Sequence, residues 1–138
     1  KQYAVSQVTN KAVGQIQTVL RLAQSNATTS TFCSDNQNVG PWSVIFNQSN
    51  TLSNTLVLEC NSILQKEYTL ENVQIDNVSC GSTTVELPLK LTYANGTGAL
   101  TFSSSCPNPT VWTFRLLNTK NDTAKDFKIS QGGAINVE

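Results

Sequence analysis

The stretch Tyr3–Ala27, YAVSQVTNKAVGQIQTVLRLAQSNA, sets the fold. Val5, Val8, Ala12, Ile16, Val19 or Leu20, and Ala23 recur at steps of three and four, and Val13 and Leu22 widen the stripe. That is the spacing of one face of an α-helix. The other face carries Gln, Thr and Asn together with Lys11, Gln15, Gln17 and Arg21. The spacing predicts a helix over 1–27 that packs through Val5, Val8, Ala12, Ile16, Val19, Leu20 and Ala23, and that Asn26 and the run Ala27–Thr28–Thr29–Ser30–Thr31 bring to an end. For residues 12–23 the plainest use of the stripe is to close an intramolecular core. No capping Ser, Thr, Asp or Asn stands ahead of the pattern. The helix therefore reads as the lower half of a longer one, with Lys1 at the point where the upper half is expected to attach.

After Thr31 the pattern becomes that of strands: Trp42–Phe46, Thr55–Cys60, Asn72–Asp76, Thr83–Leu91, Ala99–Phe102, Val111–Leu117, Asp126–Ser130 and Ala134–Val137. The clearest alternation is Val85, Leu87, Leu89 and Leu91 against Glu86, Pro88 and Lys90, a half-buried strand whose Pro88 calls for an edge or a bulge. Turns are marked by Asn95–Gly96–Thr97–Gly98, Cys106–Pro107–Asn108–Pro109 and Gly132–Gly133. The expectation is an α+β fold in a single domain over 1–138: an N-terminal amphipathic helix packed on an antiparallel β domain at 32–138 of about 7–8 short strands.

Of the 138 residues, 56 are Asn, Ser, Thr or Gln, and nine basic side chains balance nine acidic ones. Zero net charge argues against a general binder of nucleic acid or anionic membrane. The absence of histidine removes Ser-His-Asp and Cys-His catalysis, His-ligated zinc or haem, and an imidazole proton shuttle. No run reaches the roughly 18 apolar residues of a membrane-spanning helix.

Cys33, Cys60, Cys80 and Cys106 lie too far apart in sequence for a zinc knuckle or a redox pair. An even count at wide spacing in a polar chain reads as two disulfides formed in an oxidising compartment. Three connectivities are open, and Cys33–Cys60 with Cys80–Cys106 closes moderate loops. Asn-x-Ser/Thr triplets begin at Asn26, Asn47, Asn77, Asn95 and Asn121. That number is close to what so Asn-, Ser- and Thr-rich a composition produces by chance.

For chemistry, Glu67 with Glu71 and Asp122 with Asp126 are the carboxylate pairs at helical spacing, better read as solvated charges than as an acid–base couple across a cleft. Ser34–Asp35–Asn36–Gln37–Asn38 offers oxygens to calcium but lacks further carboxylates, and reads as a polar turn. Trp42 and Trp112 sit among aliphatic residues and read as core rather than as sugar-stacking platforms, with Tyr68 and Tyr93 the other candidates. No catalytic residue, metal site or cofactor is expected.

A helix followed by a β domain, with these landmarks, resembles the soluble part of type IV pilins and type II secretion pseudopilins, and most of all the GspH/FimT-type minor pilins. Three places carry the likeness: Leu20–Arg21–Leu22–Ala23–Gln24–Ser25–Asn26–Ala27 at the helix end, Gly40–Pro41–Trp42–Ser43–Val44–Ile45–Phe46 as first strand, and Phe127–Lys128–Ile129–Ser130–Gln131–Gly132–Gly133–Ala134–Ile135–Asn136–Val137 as closing hairpin. Pro41 interrupts the family's Gly–Trp pair, and Ala134 stands where Arg is common. The resemblance implies a non-enzymatic filament subunit at the cell surface, bound to other subunits through its helix and anchored in the inner membrane by an upstream apolar segment before assembly. Some FimT-like proteins bind DNA through an Arg-rich closing hairpin, but here no basic residue follows Lys128. The alternative is a secreted, disulfide-stapled binding module, either a lectin-like adhesin or a DNA-binding minor pilin.

Overall fold

A computed structural model describes residues 2–46, 54–104, 111–130 and 135–137, with side chains omitted at 2–6 and 137. The fold is α+β. The helix α1 spans Gln2–Thr28. Among the described residues ten strands follow: β1 Trp42–Phe46, β2 Thr55–Cys60, β3 Ile63–Thr69, β4 Val73–Cys80, β5 Thr83–Val85, β6 Leu89–Tyr93, β7 Leu100–Phe102, β8 Val111–Asn118, β9 Ala124–Ser130 and β10 Ile135–Val137. They form two antiparallel five-stranded sheets, ordered β3-β2-β1-β6-β7 and β10-β9-β8-β4-β5.

The helix runs one residue beyond its expected end at 27. Ser30 takes the left-handed conformation at φ 54°. Thr31 N–H then donates to Asn26 O at 2.9 Å and Ser30 N–H to Ala27 O at 3.2 Å. This pair of bonds is a Schellman cap, satisfying carbonyls that the last turn would leave open.

The core lies where α1 meets both sheets. Ala12, Val13, Ile16, Val19, Leu20, Ala23 and Ala27 are buried with Val44, Phe46, Leu89 and Leu91 of the first sheet and Ile75, Phe114, Leu116 and Phe127 of the second. Phe46 meets Phe114 at 4.8 Å between ring centres, and Phe114 stacks on Phe127 at 4.9 Å. Phe102 stacks on Trp112 at 4.3 Å and so joins edge strand β7 to the opposite sheet. Trp42 and Trp112 are both buried.

Three differences from the sequence reading have physical causes. The expected strand Thr83–Leu91 is two strands in two sheets: β5 is the edge of the second, and β6 lies between β1 and β7 in the first. Pro88 falls in the link between them, outside either ladder, where its missing N–H leaves no gap. β4 runs on past Asp76 because a bulge sets Asp76 and Asn77 against Arg115, so its buried positions step from Ile75 to Val78. β3 was not anticipated, because every residue in it is exposed or half-buried and no alternation shows. These changes raise the strand number to ten. Ala134, Gly132–Gly133 and the turn at Cys106 lie outside the described residues.

Two outcomes follow from this packing. Phe114→Ala removes the ring that joins the sheets and is expected to cost about 3–5 kcal/mol, read as a lower urea midpoint at unchanged slope. Burial pushes the Tyr93 phenol up from 10.0 to about 12. The group is neutral in both states below pH 10, whereas above it the unfolded chain ionises first. Stability should therefore fall between pH 10 and about 12 as this phenol titrates, and Tyr93→Phe should lessen the fall in melting temperature across that interval.

Candidate functional site

The helix divides into two faces. The inner one is the buried stripe from Ala12 to Ala27, with Val8 half-buried at its start. Val5 lies outside the residues whose side chains are described. The outer face presents Lys11, Thr18, Arg21 and Ser25 to solvent around the half-exposed Gly14. Leu22, expected to widen the apolar stripe, belongs instead to this outer face, being 41% exposed. A helix turns 100° per residue, which places Leu22 well away from Ile16, Leu20 and Ala23.

Polar contacts seat the helix along its length. Near its start, Lys125 Nζ donates to Asn10 Oδ1 at 2.9 Å. Lys11 Nζ stands 3.8 Å from Glu71 Oε2, with both side chains 75% exposed, so that pair contributes little. Mid-helix, Gln15 Nε2 reaches Thr69 O at 3.4 Å. At the far end, Gly96 N–H donates to Ala27 O at 2.8 Å, and Trp42 Nε1 donates to Thr31 O at 3.4 Å. Between the helix and the end of β3 runs an open groove of about 470 Å³, lined by Val8, Lys11, Gln15, Thr18, Thr69 and Glu71. The i, i+3/i+4 pattern located the inner face, but nothing local to Asn10, Gln15 or Gly96 announces contacts made across the fold.

The disulfide Cys33–Cys60 ties the loop after the helix to the end of β2. Cys80 is also disulfide-bonded; Cys106, its expected partner, lies outside the described residues. Ser34 N–H donates to Gln65 Oε1 at 2.9 Å, and Gln65 is the residue that the β2–β3 register passes over, left without a partner opposite. Around this bridge Phe32, Val39, Ile63 and Leu64 expose apolar surface, Leu64 at 61% and Phe32 at 55%. The expected packing face omitted them, since single apolar residues in a polar loop carry no periodicity.

The candidates for chemistry are dispersed. Glu71 pairs with Lys11, Glu67 is an exposed edge residue of β3, Asp122 is in a turn and Asp126 is on β9. Asp35 accepts hydrogen bonds from Gln37 N–H at 2.9 Å and Asn38 N–H at 3.1 Å on Oδ1, and from Asn38 Nδ2 at 2.6 Å on Oδ2. These bonds, led by the Gln37 amide, hold its carboxyl below the usual carboxylate range and make it the closing residue of a polar turn. Among the described residues no group of three or more His, Cys, Asp or Glu could hold a metal ion. Trp42, Trp112 and Tyr93 are buried, which leaves Tyr68, with Lys66 Nζ 5.0 Å from its ring centre, as the accessible member of that set. No helix among the described residues is long and apolar enough to cross a membrane.

No protein-family model matches the chain, and comparison with curated proteins and with solved structures returns no match.

Residue separation 27 makes Cys33–Cys60 a substantial constraint on the unfolded chain. Cys33→Ala combined with Cys60→Ala is expected to lose about 3.5 kcal/mol on loop-closure grounds, measured by equilibrium denaturation. A loss confined to the loop would instead leave the unfolding midpoint unmoved and raise amide exchange only around residues 31–40.

Proposed function

We propose that the chain is a non-enzymatic structural subunit, a minor pilin or pseudopilin, of a type IV pilus or type II secretion-type filament. In this reading it assembles through its N-terminal helix, with the β domain facing solvent at the cell surface. An apolar segment upstream of Lys1 would hold the subunit in the inner membrane before assembly. The observation that carries the reading is the two-faced helix: one face closes the domain's own core, and the other remains open along Lys11, Gly14, Thr18, Arg21, Leu22 and Ser25. Gly14 stands at mid-length on that open face, where glycine weakens helices by about 1 kcal/mol relative to alanine, together with the exposed Leu22. The dispersed carboxylates and the disulfide-tied, neutral surface fit a structural role outside the cell.

A second reading, the secreted binding module, is favoured by one observation: Phe32, Val39, Ile63 and Leu64 expose apolar side chains beside the Cys33–Cys60 bridge. Nucleic acid fits the chain poorly, since nine acidic side chains balance its nine basic ones, and Arg115 stands 4.0 Å from Asp76 and Lys90 3.4 Å from Glu59.

Gly14 separates the readings. A Cβ built there meets nothing within 4 Å, so Gly14→Leu should leave the melting temperature of the isolated chain unchanged or raise it. In cells carrying the full gene, the same change should strip the subunit from sheared surface filaments, detected with antibody against the β domain. Wild-type protein found only as free secreted monomer, behind an ordinary secretory signal in place of about 25 apolar residues, would sink the filament reading and leave the binding module.

A further inference from the structure

The turn between β6 and β7 carries the chain's Asn-Gly pair, Asn95–Gly96, within Asn95–Gly96–Thr97–Gly98. Asn95, Gly96 and Thr97 are exposed, whereas Gly98 is buried against Thr28 and Gln24 of the helix. The turn is closed by Ala94 N–H to Ala99 O at 2.8 Å and Gly98 N–H to Ala94 O at 2.8 Å. Its Gly96 N–H leaves the turn and donates to Ala27 O in the last turn of α1, at 2.8 Å. One backbone nitrogen thus ties this turn to the end of the helix.

That nitrogen is also a nucleophile. In an Asn-Gly pair no side chain shields the glycine nitrogen, which after giving up its proton to solvent base can attack the Asn Cγ. The new C–N bond closes a succinimide, the carboxamide C–N bond breaks, and the side-chain nitrogen leaves as ammonia after taking a proton from solvent. Water then opens the ring at either carbonyl, giving aspartate or isoaspartate. No oxidant, metal or enzyme is required. While Gly96 N–H is held by Ala27 O, the nitrogen keeps its proton and stays bound to the helix end.

We propose that Asn95–Gly96 is a spontaneous deamidation site gated by the docking of the β6–β7 turn on the C-terminal end of α1. Modification proceeds through the fraction of molecules in which the turn has lifted, so its rate reports that opening. It is also one-way. A carboxylate at this place faces the negative end of the helix dipole, and isoaspartate adds a main-chain carbon that breaks the register of the turn. Either product disfavours redocking, so each event leaves the helix end permanently looser. The gate belongs to the folded monomer and holds whether or not the chain assembles into a filament.

The test uses the purified chain with its disulfides intact, incubated at mildly alkaline pH in buffer and in concentrated urea. Asn95 conversion is read by peptide mass spectrometry and by enzymatic methylation of isoaspartate. Conversion should be at least about tenfold slower in the native protein than in urea, as expected for reaction through a minor open state. Gly98→Ala sets a methyl group against Thr28 at φ 70° and should bring the native rate toward the urea rate while circular dichroism stays native. Equal rates in buffer and urea overturn the gate, as does a folded Gly98→Ala protein that reacts no faster than wild type. Should that variant not fold, hydrogen exchange at the wild-type Gly96 amide decides: protection supports the gate, and exchange at the rate of an open peptide overturns it.

Discussion

Everything in this molecule depends on one apolar helix face that neither sheet can do without. The helix meets β1, β2 and β6 of one sheet and β4 and β8 of the other, and Ile16, Val19, Leu20 and Ala23 are buried in the core they share. The larger of these, Ile16, Val19 and Leu20, each stabilise the fold by roughly 1.5–3 kcal/mol when fully buried. The two sheets also meet directly through Phe46 and Phe114, but that contact leaves inner positions of both sheets to be covered by the helix. The alanines matter for geometry as much as for area. Ala23 and Ala27 are fully buried, and their small side chains bring the last turns of the helix close enough for Ala27 O to reach the β6–β7 turn.

From that seat the outer helix face follows. Once the inner stripe is committed to the core, the remaining arc must point away from the sheets, and it carries Lys11, Gly14, Thr18, Arg21 and Leu22. The helix is also held unequally along its length. At its C-terminal end a Schellman cap, the Gly96 bond and the Cys33–Cys60 bridge converge within a few residues. Toward its N-terminal end the polar restraints among the described residues are exposed side-chain contacts, Lys125 to Asn10 and Lys11 to Glu71. Such contacts exchange readily with water, whereas backbone bonds under a covalent tie do not.

Much of this was legible in the residues themselves, for reasons that are specific. Ala12 to Ala23 announced the helix because its apolar spacing is periodic over several turns and only one face is buried. Trp42–Phe46 and Thr55–Cys60 were legible as strands because short apolar runs between turn residues admit few other readings. What stayed hidden depended on partners remote in sequence. β3 alternates in nothing, because both its faces are open and Gln65 interrupts its pairing. The split at Pro88 was concealed by an alternation that runs through Val85, Leu87, Leu89 and Leu91 as if one sheet held them all. The groove beside Gln15 and the apolar surface around Phe32 and Leu64 arise from juxtaposition, which local sequence does not encode.

The neutrality of the chain poses a further problem that its edges answer. With nine charges of each sign there is no net repulsion to keep copies apart, and two open sheets present four edge strands: β3, β7, β10 and β5. Three of these are only three residues long, too short to template a stable ladder with another chain. The long one, β3, is guarded differently. Lys66 and Glu67 stand at its middle, the pairing skips Gln65, and the Gln65 side chain turns back to donate to Ile63 O at 3.0 Å and to Leu64 O at 3.4 Å. In a face-preserving antiparallel pairing of two copies, a two-fold axis at Lys66 or at Glu67 sets that residue opposite its own like charge. A surface rich in Asn, Ser, Thr and Gln hydrates well without net charge, so the edges, and not electrostatic repulsion, must keep β domains from adding to one another.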